Sequence, residues 1–300
     1  SEESAALMAA GAAGRALMSR ARGMRAAGET WLPKFPAEDA QAYKARLASS
    51  FLFNGFRKTV KDMAGRVFDK PVRVVEGAAV EAYIGNVDLA KSDLSVFARA
   101  VFEAALSGPG ISYILADAPR REGVVTQAQA EAQNLRPYLV HLRAEDVIGW
   151  QYETINNAPV LTQLRIRETL TRKDPRDEFK QAKVDQVRVM DVTDAGVRVR
   201  KYQKQSDAHK WGLAEEPFLT GLPRITLTPV ALEPSGFMMS EPPLEDLADL
   251  NIAHWQSSSD QRNILHHARV PVMFASGHDE SESGPLVIKA GQIVSSGDPQ

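Results

Sequence analysis

The side chains best suited to chemistry are six histidines, at positions 141, 209, 254, 266, 267 and 278, and the acids scattered among them. No two histidines sit in an HExxH pair. His266 and His267 are neighbours, so on a helix they point about 100° apart and cannot clamp one ion. His254 and Asp260 are six positions apart, a poor spacing for one helical face. Zero cysteines exclude disulfides, thiolate metal sites and cysteine nucleophiles. Serine motifs of the G-x-S-x-G kind and the Walker A phosphate loop are absent. Gly108-Pro109-Gly110 follows a helix and precedes a strand, the reverse of the order a phosphate loop needs. Asp246 and Asp249 share a face at i,i+3, but a catalytic pair also needs a pocket. The sequence therefore predicts no enzyme, no metal site and no cofactor; a hydrolase built on His254 and Asp260 is the weakest alternative.

The stretch that carries several of these residues runs from Pro242 to Pro271 and reads as one helix. Pro242 and Pro243 suit a first turn, where a missing N–H costs nothing, and Pro271 stops the run. Leu244 to Ala268 would make a rod of about 37 Å. Stepping 100° per residue puts Leu244, Leu247, Ala248, Asn251, Trp255, Ser258, Arg262 and Leu265 on one stripe. Glu245, Asp246, Asp249, Gln256 and Asp260 fall on the other side. The apolar stripe is thin, as expected of a helix packed beside copies of itself, with Leu247, Asn251, Trp255 and Leu265 as subunit contacts. An ordinary surface helix with a solvated acidic face fits the periodicity equally well.

Three hundred residues, 44% hydrophobic and 25% charged, describe a globular protein of two or three structural units. No run of about 18 apolar residues exists to span a membrane. The net charge of −2 hides segregation. Residues 1–70 carry +5 (12 Lys and Arg against 7 Asp and Glu) and residues 71–164 carry −4 (7 against 11). Residues 165–210 carry +5 (13 against 8), and residues 211–300 carry −8 (4 against 12). An acidic last third does not recruit duplex DNA by counterion release.

Residues 1–30, rich in alanine and arginine, read as a flexible or partner-docked arm. Trp31 to Pro36 is an extended anchor, followed by two helical segments separated at Asn54-Gly55; Tyr43 and Leu47 share a face on the first, Phe56, Val60 and Met63 on the second. The aromatic group Phe51, Phe53 and Phe56 reads as core. Asn86 to Leu106 predicts a helix capped by Asp88 or Ser92, with Leu94, Phe97, Val101 and Ala105 inward. Ile111 to Ala116 reads as a buried strand. From Arg136 the pattern becomes short strands: 138–142, 158–170, 184–191, 197–202 and 225–227, with a hairpin turn at Asp194-Ala195-Gly196. Their outward sides predict a basic face of Arg165, Arg167, Arg188, Arg198, Arg200 and Lys201. That face suits nucleic acid or an acidic partner, and equally ordinary edge protection.

Four stretches, in order, carry a resemblance. They are WLPKFPAEDAQAYKARLASSFLFNGFRKTVKDMAGRVFDKP (Trp31 to Pro71), NVDLAKSDLSVFARAVFEAALSGPGISYILADAP (Asn86 to Pro119), RPYLVHLRAEDVIGW (Arg136 to Trp150), and the long helix through VPVMFASG. Together they resemble the portal, or head-to-tail connector, proteins of tailed bacteriophages over nearly all of residues 31 to 277. The resemblance implies an α+β, portal-like fold: a flexible arm at 1–30, a mixed helix and strand wing at 31–240, a stem helix at 241–270, and the start of a clip at 271–300 led by Leu286 to Val294. It also implies that the protein continues past Gln300 with the rest of the clip, a second stem helix and a channel loop.

The function so implied is a homo-oligomeric ring of about twelve subunits at one capsid vertex, assembled in the host cytoplasm and resident at the head-tail junction of the virion. Double-stranded DNA would pass through its channel during packaging and ejection. The terminase large subunit, head-tail adaptor and capsid proteins would dock on it. Glu245, Asp246, Asp249, Gln256 and Asp260 would face the channel, where acids keep the duplex from sticking. The alternative is another virion structural or nucleic-acid-binding protein using the basic strand face.

Overall fold

A computed structural model describes residues 1–76, 81, 83–119, 126, 128–129, 133–174, 177–204, 211–268, 274–276 and 294–296. The fold is α+β, with several helices, antiparallel sheets and a long helix near the C-terminal end. It divides into two units, Ser1–Met18 with Phe56–Asp246, and Ser19–Gly55 with Leu247–Gln300.

The first unit is built on strand β1 (Ile111–Asp117), the centre of a three-stranded antiparallel sheet between β2 (Tyr138–Arg143) and β9 (Leu227–Ala231). Alternation sorts its side chains. Ile111, Tyr113 and Leu115 point one way into the main core, and Ile114 points the other way toward α6 (Leu94–Ser107). Helix α6 buries Phe97, Val101 and Ala105 as its spacing predicts. Its cap is Asp93, whose carboxylate accepts from the Val96 amide at 2.9 Å. Asp88 instead folds the preceding loop, accepting from the amides of Ala90 and Ser92.

The opposite face of the core comes from a six-stranded antiparallel sheet. Its strands are β3 (Val147–Ile155), β4 (Ala158–Asp174), β5 (Asp177–Thr193), β6 (Gly196–Lys204), β7 (Trp211–Leu213) and β8 (Phe218–Leu219). The order is β3-β4-β5-β6-β7, with β8 also pairing β6. Trp150, Leu164, Ile166, Met190, Val197 and Val199 supply its inner side chains. Helix, small sheet and large sheet thus form three layers around continuous apolar surface. The turn at Asp194-Ala195 is as expected: Thr193 pairs with Gly196, whose φ of +111° admits glycine at no steric cost. Gly110 has φ +82°, and a Cβ there would sit 2.0 Å from the Glu241 carbonyl oxygen. A short hairpin, β10 (Pro234–Gly236) with β11 (Met239–Ser240), precedes the long helix.

Residues 1–30, expected as a flexible or partner-docked arm, are helical. Helices α1 (Glu2–Ala10), α2 (Ala12–Met18) and α3 (Arg20–Ala27) occupy them, and Leu7, Leu17 and Met24 are buried. In the first unit the Ser4 hydroxyl donates to the Val147 carbonyl at 2.8 Å. Alanine-rich helices hold few apolar side chains, but three well-placed ones are enough to dock them. Helix α5 (Gly55–Val67) buries Phe56, Val60 and Ala64, while Met63 stays exposed.

The second unit joins α3 and α4 (Ala40–Ser49) to α7 (Glu245–Ala268). Residues 19–55 fall in the same unit as residues 247–300. Asp39 caps α4 by accepting from the amides of Gln41 and Ala42 at 2.7 and 2.8 Å. Backbone pairing between β12 (Phe274–Ser276) and β13 (Val294–Ser296) is parallel. The expected strand from Leu286 lies outside the described residues up to Val294.

Candidate functional site

Helix α7 begins one residue after the expected start and spans 24 residues, about 36 Å. Its sides are now distinguishable. Ala248, Asn251, Ile252, Trp255 and Ser259 are buried and recur at i, i+3, i+4, i+7 and i+11. Among the expected subunit contacts, Asn251 and Trp255 are thus already covered by their own chain, Leu247 is half-buried, and Leu265 stays exposed. The stripe looks too thin for an intrachain core because polar groups complete it. Asn251 Nδ2 donates to the Phe53 carbonyl at 2.9 Å, Gln256 Nε2 to the Trp31 carbonyl at 3.0 Å, and Arg262 to the Ser49 carbonyl at 3.0 Å. The segment from Trp31 to Asn54 leaves helical geometry on both sides of α4 and exposes carbonyls that need donors. Phe51 and Phe53 line the same side of α7, exposed rather than core, with Arg262 over one ring and His254 6.0 Å from the other.

The acidic side contracts correspondingly. Glu245, Asp246 and Asp249 are exposed and form no ion pair among the described residues. Gln256 is held by Trp31, and Asp260 lies 3.4 Å from Arg46. That arginine is the anchor of the unit. Its side chain is 2% exposed, bonds Glu38 at 2.8 Å and the Pro33 carbonyl at 2.7 Å, and stacks 4.1 Å from the Phe35 ring centre. The Arg46 hydrogen bond holds the Glu38 carboxyl below its ordinary value despite burial. The same outward side is partly apolar: Leu250 and Ile264 are 67% and 66% exposed, Ile264 at the helical phase of Asp246 and Leu250 one turn from it, with exposed Leu265 between Leu250 and the buried stripe.

Register divides the expected basic face, with Arg165, Arg167, Arg198 and Arg200 on one side of the large sheet and Arg188 and Lys201 on the other. Register puts Arg188 opposite Lys201 and Ile166, on the side of the sheet that turns toward the core. Arg165 and Arg200 share the other side with Val189, and Arg198 with Asp191. Adjacent residues Arg200 and Lys201 must point to opposite faces. Most of the charges are also spent within the chain. Arg188 pairs with Asp117 at 2.6 Å and with Glu168; burial opposes its charge, and the two acids more than offset that. Arg200 and Arg198 reach Asp191 at 2.7 and 3.5 Å, and Lys201 reaches Glu215 at 2.9 Å. Arg167 stays exposed and Arg165 half-buried.

One pair invisible in the sequence is Ser112 with His141, Oγ to Nε2 at 2.7 Å. It has the spacing of a nucleophile and its base, but Ser112 is wholly buried and also contacts the Leu142 carbonyl. No substrate atom can reach it. Burial and the nearby Arg143 push His141 below its ordinary value. His254 and Asp260 point to different sides of α7, so the pairing a hydrolase would need is not brought together. Among the described residues no helix is long and apolar enough to cross a membrane, and no three His, Asp or Glu groups converge.

Residues 243–300 match the model of a family described as a domain of unknown function (DUF4055). The family is found in phage-type proteins without being specific to portals. The matched segment contains all of α7. No curated protein matches the chain.

Proposed function

We propose that the chain is a subunit of a phage portal, a ring of about twelve copies at one capsid vertex that conducts double-stranded DNA during packaging and ejection. It works without catalysis or cofactor, in the virion at the head-tail junction, after assembly in the host cytoplasm. Terminase large subunit, head-tail adaptor and capsid proteins are its partners.

The observation that carries this reading is the contrast between the buried side of α7 and its outward side. One side is fastened to its own chain, and the outward side presents Glu245, Asp246 and Asp249, unpaired among the described residues, together with Leu250 and Ile264 in water. A helix standing among copies of itself around a bore needs an anchor, a wall that does not bind phosphate, and an apolar flank for its neighbour. The family match over the same helix supports the reading. The alternative of a nucleic-acid-binding sheet is weakened because four of its six cations are paired with acids of the same chain. Electron micrographs of the purified protein test the proposal: rings with a central hole support it, and particles that stay monomeric at micromolar concentration overturn it.

A further inference from the structure

Strands β4 and β5 outrun their sheet. Pairing with β3 ends at Ile166 and pairing with β6 ends at Gln186, so residues 167–174 and 177–185 pair only with each other among the described residues. The result is a two-stranded ribbon about 25 Å long. Such a ribbon is at best marginally stable in water unless something covers a face. Here the register puts Thr169, Thr171, Lys173, Gln181, Lys183 and Asp185 on one face, all exposed, with the two lysines toward the tip and Asp185 toward the sheet, and Phe179 near the tip is 89% exposed. Lys173 and Lys183 form no ion pair among the described residues, whereas Lys180 is matched by Asp177 at 3.2 Å.

A complementary oddity lies elsewhere on the same unit. The hairpin β10–β11 brings Glu233 and Glu241 opposite each other, the Glu241 amide donating to the Glu233 carbonyl at 3.0 Å. Both are exposed, and neither forms an ion pair among the described residues. Like charges directly across a ladder repel, and a cation from outside the hairpin would relieve them. Two uncompensated lysines on one ribbon face match two uncompensated glutamates on one hairpin.

We propose that the ribbon of residues 167–174 and 177–185 is an arm that lies on a second copy of this chain, with Lys173 and Lys183 against Glu233 and Glu241 of that copy. Because donor and acceptor are different surfaces, the contact is head-to-tail, the kind that closes into rings. The proposal adds a second contact to the ring reading and rests on it only for closure. Screening makes the contact salt-sensitive.

The test uses the full chain, which has no native cysteine. Thr171→Cys and Ser235→Cys variants, both at exposed positions, are mixed and oxidised. A mixed disulfide dimer is expected, lost when the arm carries Lys173→Glu with Lys183→Glu, and restored when the partner also carries Glu233→Lys with Glu241→Lys. Absence of the mixed dimer overturns the arm contact. Rings whose mass and yield ignore the arm reversal overturn it too, and leave the portal reading standing. A mixed dimer without rings supports the arm and sinks the ring. A monomer that retards duplex DNA through Lys173 and Lys183 overturns the proposal in favour of a nucleic-acid arm.

Discussion

Asn251 donates from Nδ2 to the carbonyl oxygen of Phe53 at 2.9 Å, joining the middle of α7 to a loop 198 positions earlier in the chain. With Arg262 on Ser49, it turns polar interruptions of the helix stripe into donors for irregular backbone, and Gln256 on Trp31 does the same from beside the stripe. The helix is therefore fixed by its own chain before any neighbour arrives. Its free sides are what remain for assembly.

Trp255 is wholly buried and sits one turn from Asn251. Trp255→Ala should cost about 3–5 kcal/mol, and Asn251→Ala about 0.5–1.5 kcal/mol by removing one of two donors to the Phe53 carbonyl, the Gly55 amide at 3.1 Å being the other. Trp255→Phe should be milder, since the indole N–H has no partner to lose. Urea unfolding of the second unit, followed by hydrogen exchange on α4 and α7, checks the ranking. A Trp255→Asp chain with an intact second unit would contradict this packing.

Arg46 and Glu38 form the most buried ion pair of the second unit. Glu38→Gln should therefore destabilise by about 3 kcal/mol, leaving a buried guanidinium half-matched. The sign with pH follows from the depressed carboxyl. The contribution is complete above the ordinary glutamate value of 4.5 and is lost as pH falls through the lower folded value. Thermal melts of wild type and Glu38→Gln should converge at strongly acid pH; parallel curves at all pH values would refute the assignment.

His141 behaves similarly at milder pH. Its folded value lies below 6.5, so the unfolded chain takes up a proton first and stability falls as pH drops from 6.5. Besides Ser112 and Phe97, the charged groups near it are Arg143 and Glu145. His141→Gln should flatten the stability profile between pH 7 and 5, read by melting temperature. An unchanged slope would place the titration elsewhere.

Asp249 is exposed, unpaired and on the acidic side of α7. Asp249→Lys should leave the fold and the particle mass unchanged while lowering the amount of DNA packaged. Normal packaging would remove Asp249 from the channel wall.

Much of the fold is legible in the residues alone. The i, i+3, i+7 spacing of Leu94, Phe97 and Val101 predicts the buried face of α6, and Asp194-Ala195-Gly196 predicts its hairpin. Where expectation and fold part, the reasons are identifiable. Arg200 and Lys201 are neighbours on one strand and cannot share a face, so period-two counting by itself splits the basic set. The α7 stripe reads as a subunit contact because carbonyl-capping by Asn251 and Arg262 looks like polarity in a one-dimensional pattern. The pairing of Ser112 with His141 and the length of the β4–β5 ribbon depend on register, which spacing alone does not fix.

The central claim is that copies of this chain assemble around a bore, using the sides of α7 that the chain leaves free. Multi-angle light scattering of the purified protein at physiological salt measures it directly. A discrete particle of about twelve chain masses, dissociated by Leu250→Glu with Ile264→Glu while each chain stays folded, is the predicted result. A monomer at micromolar concentration, or a particle indifferent to both substitutions, would contradict the account.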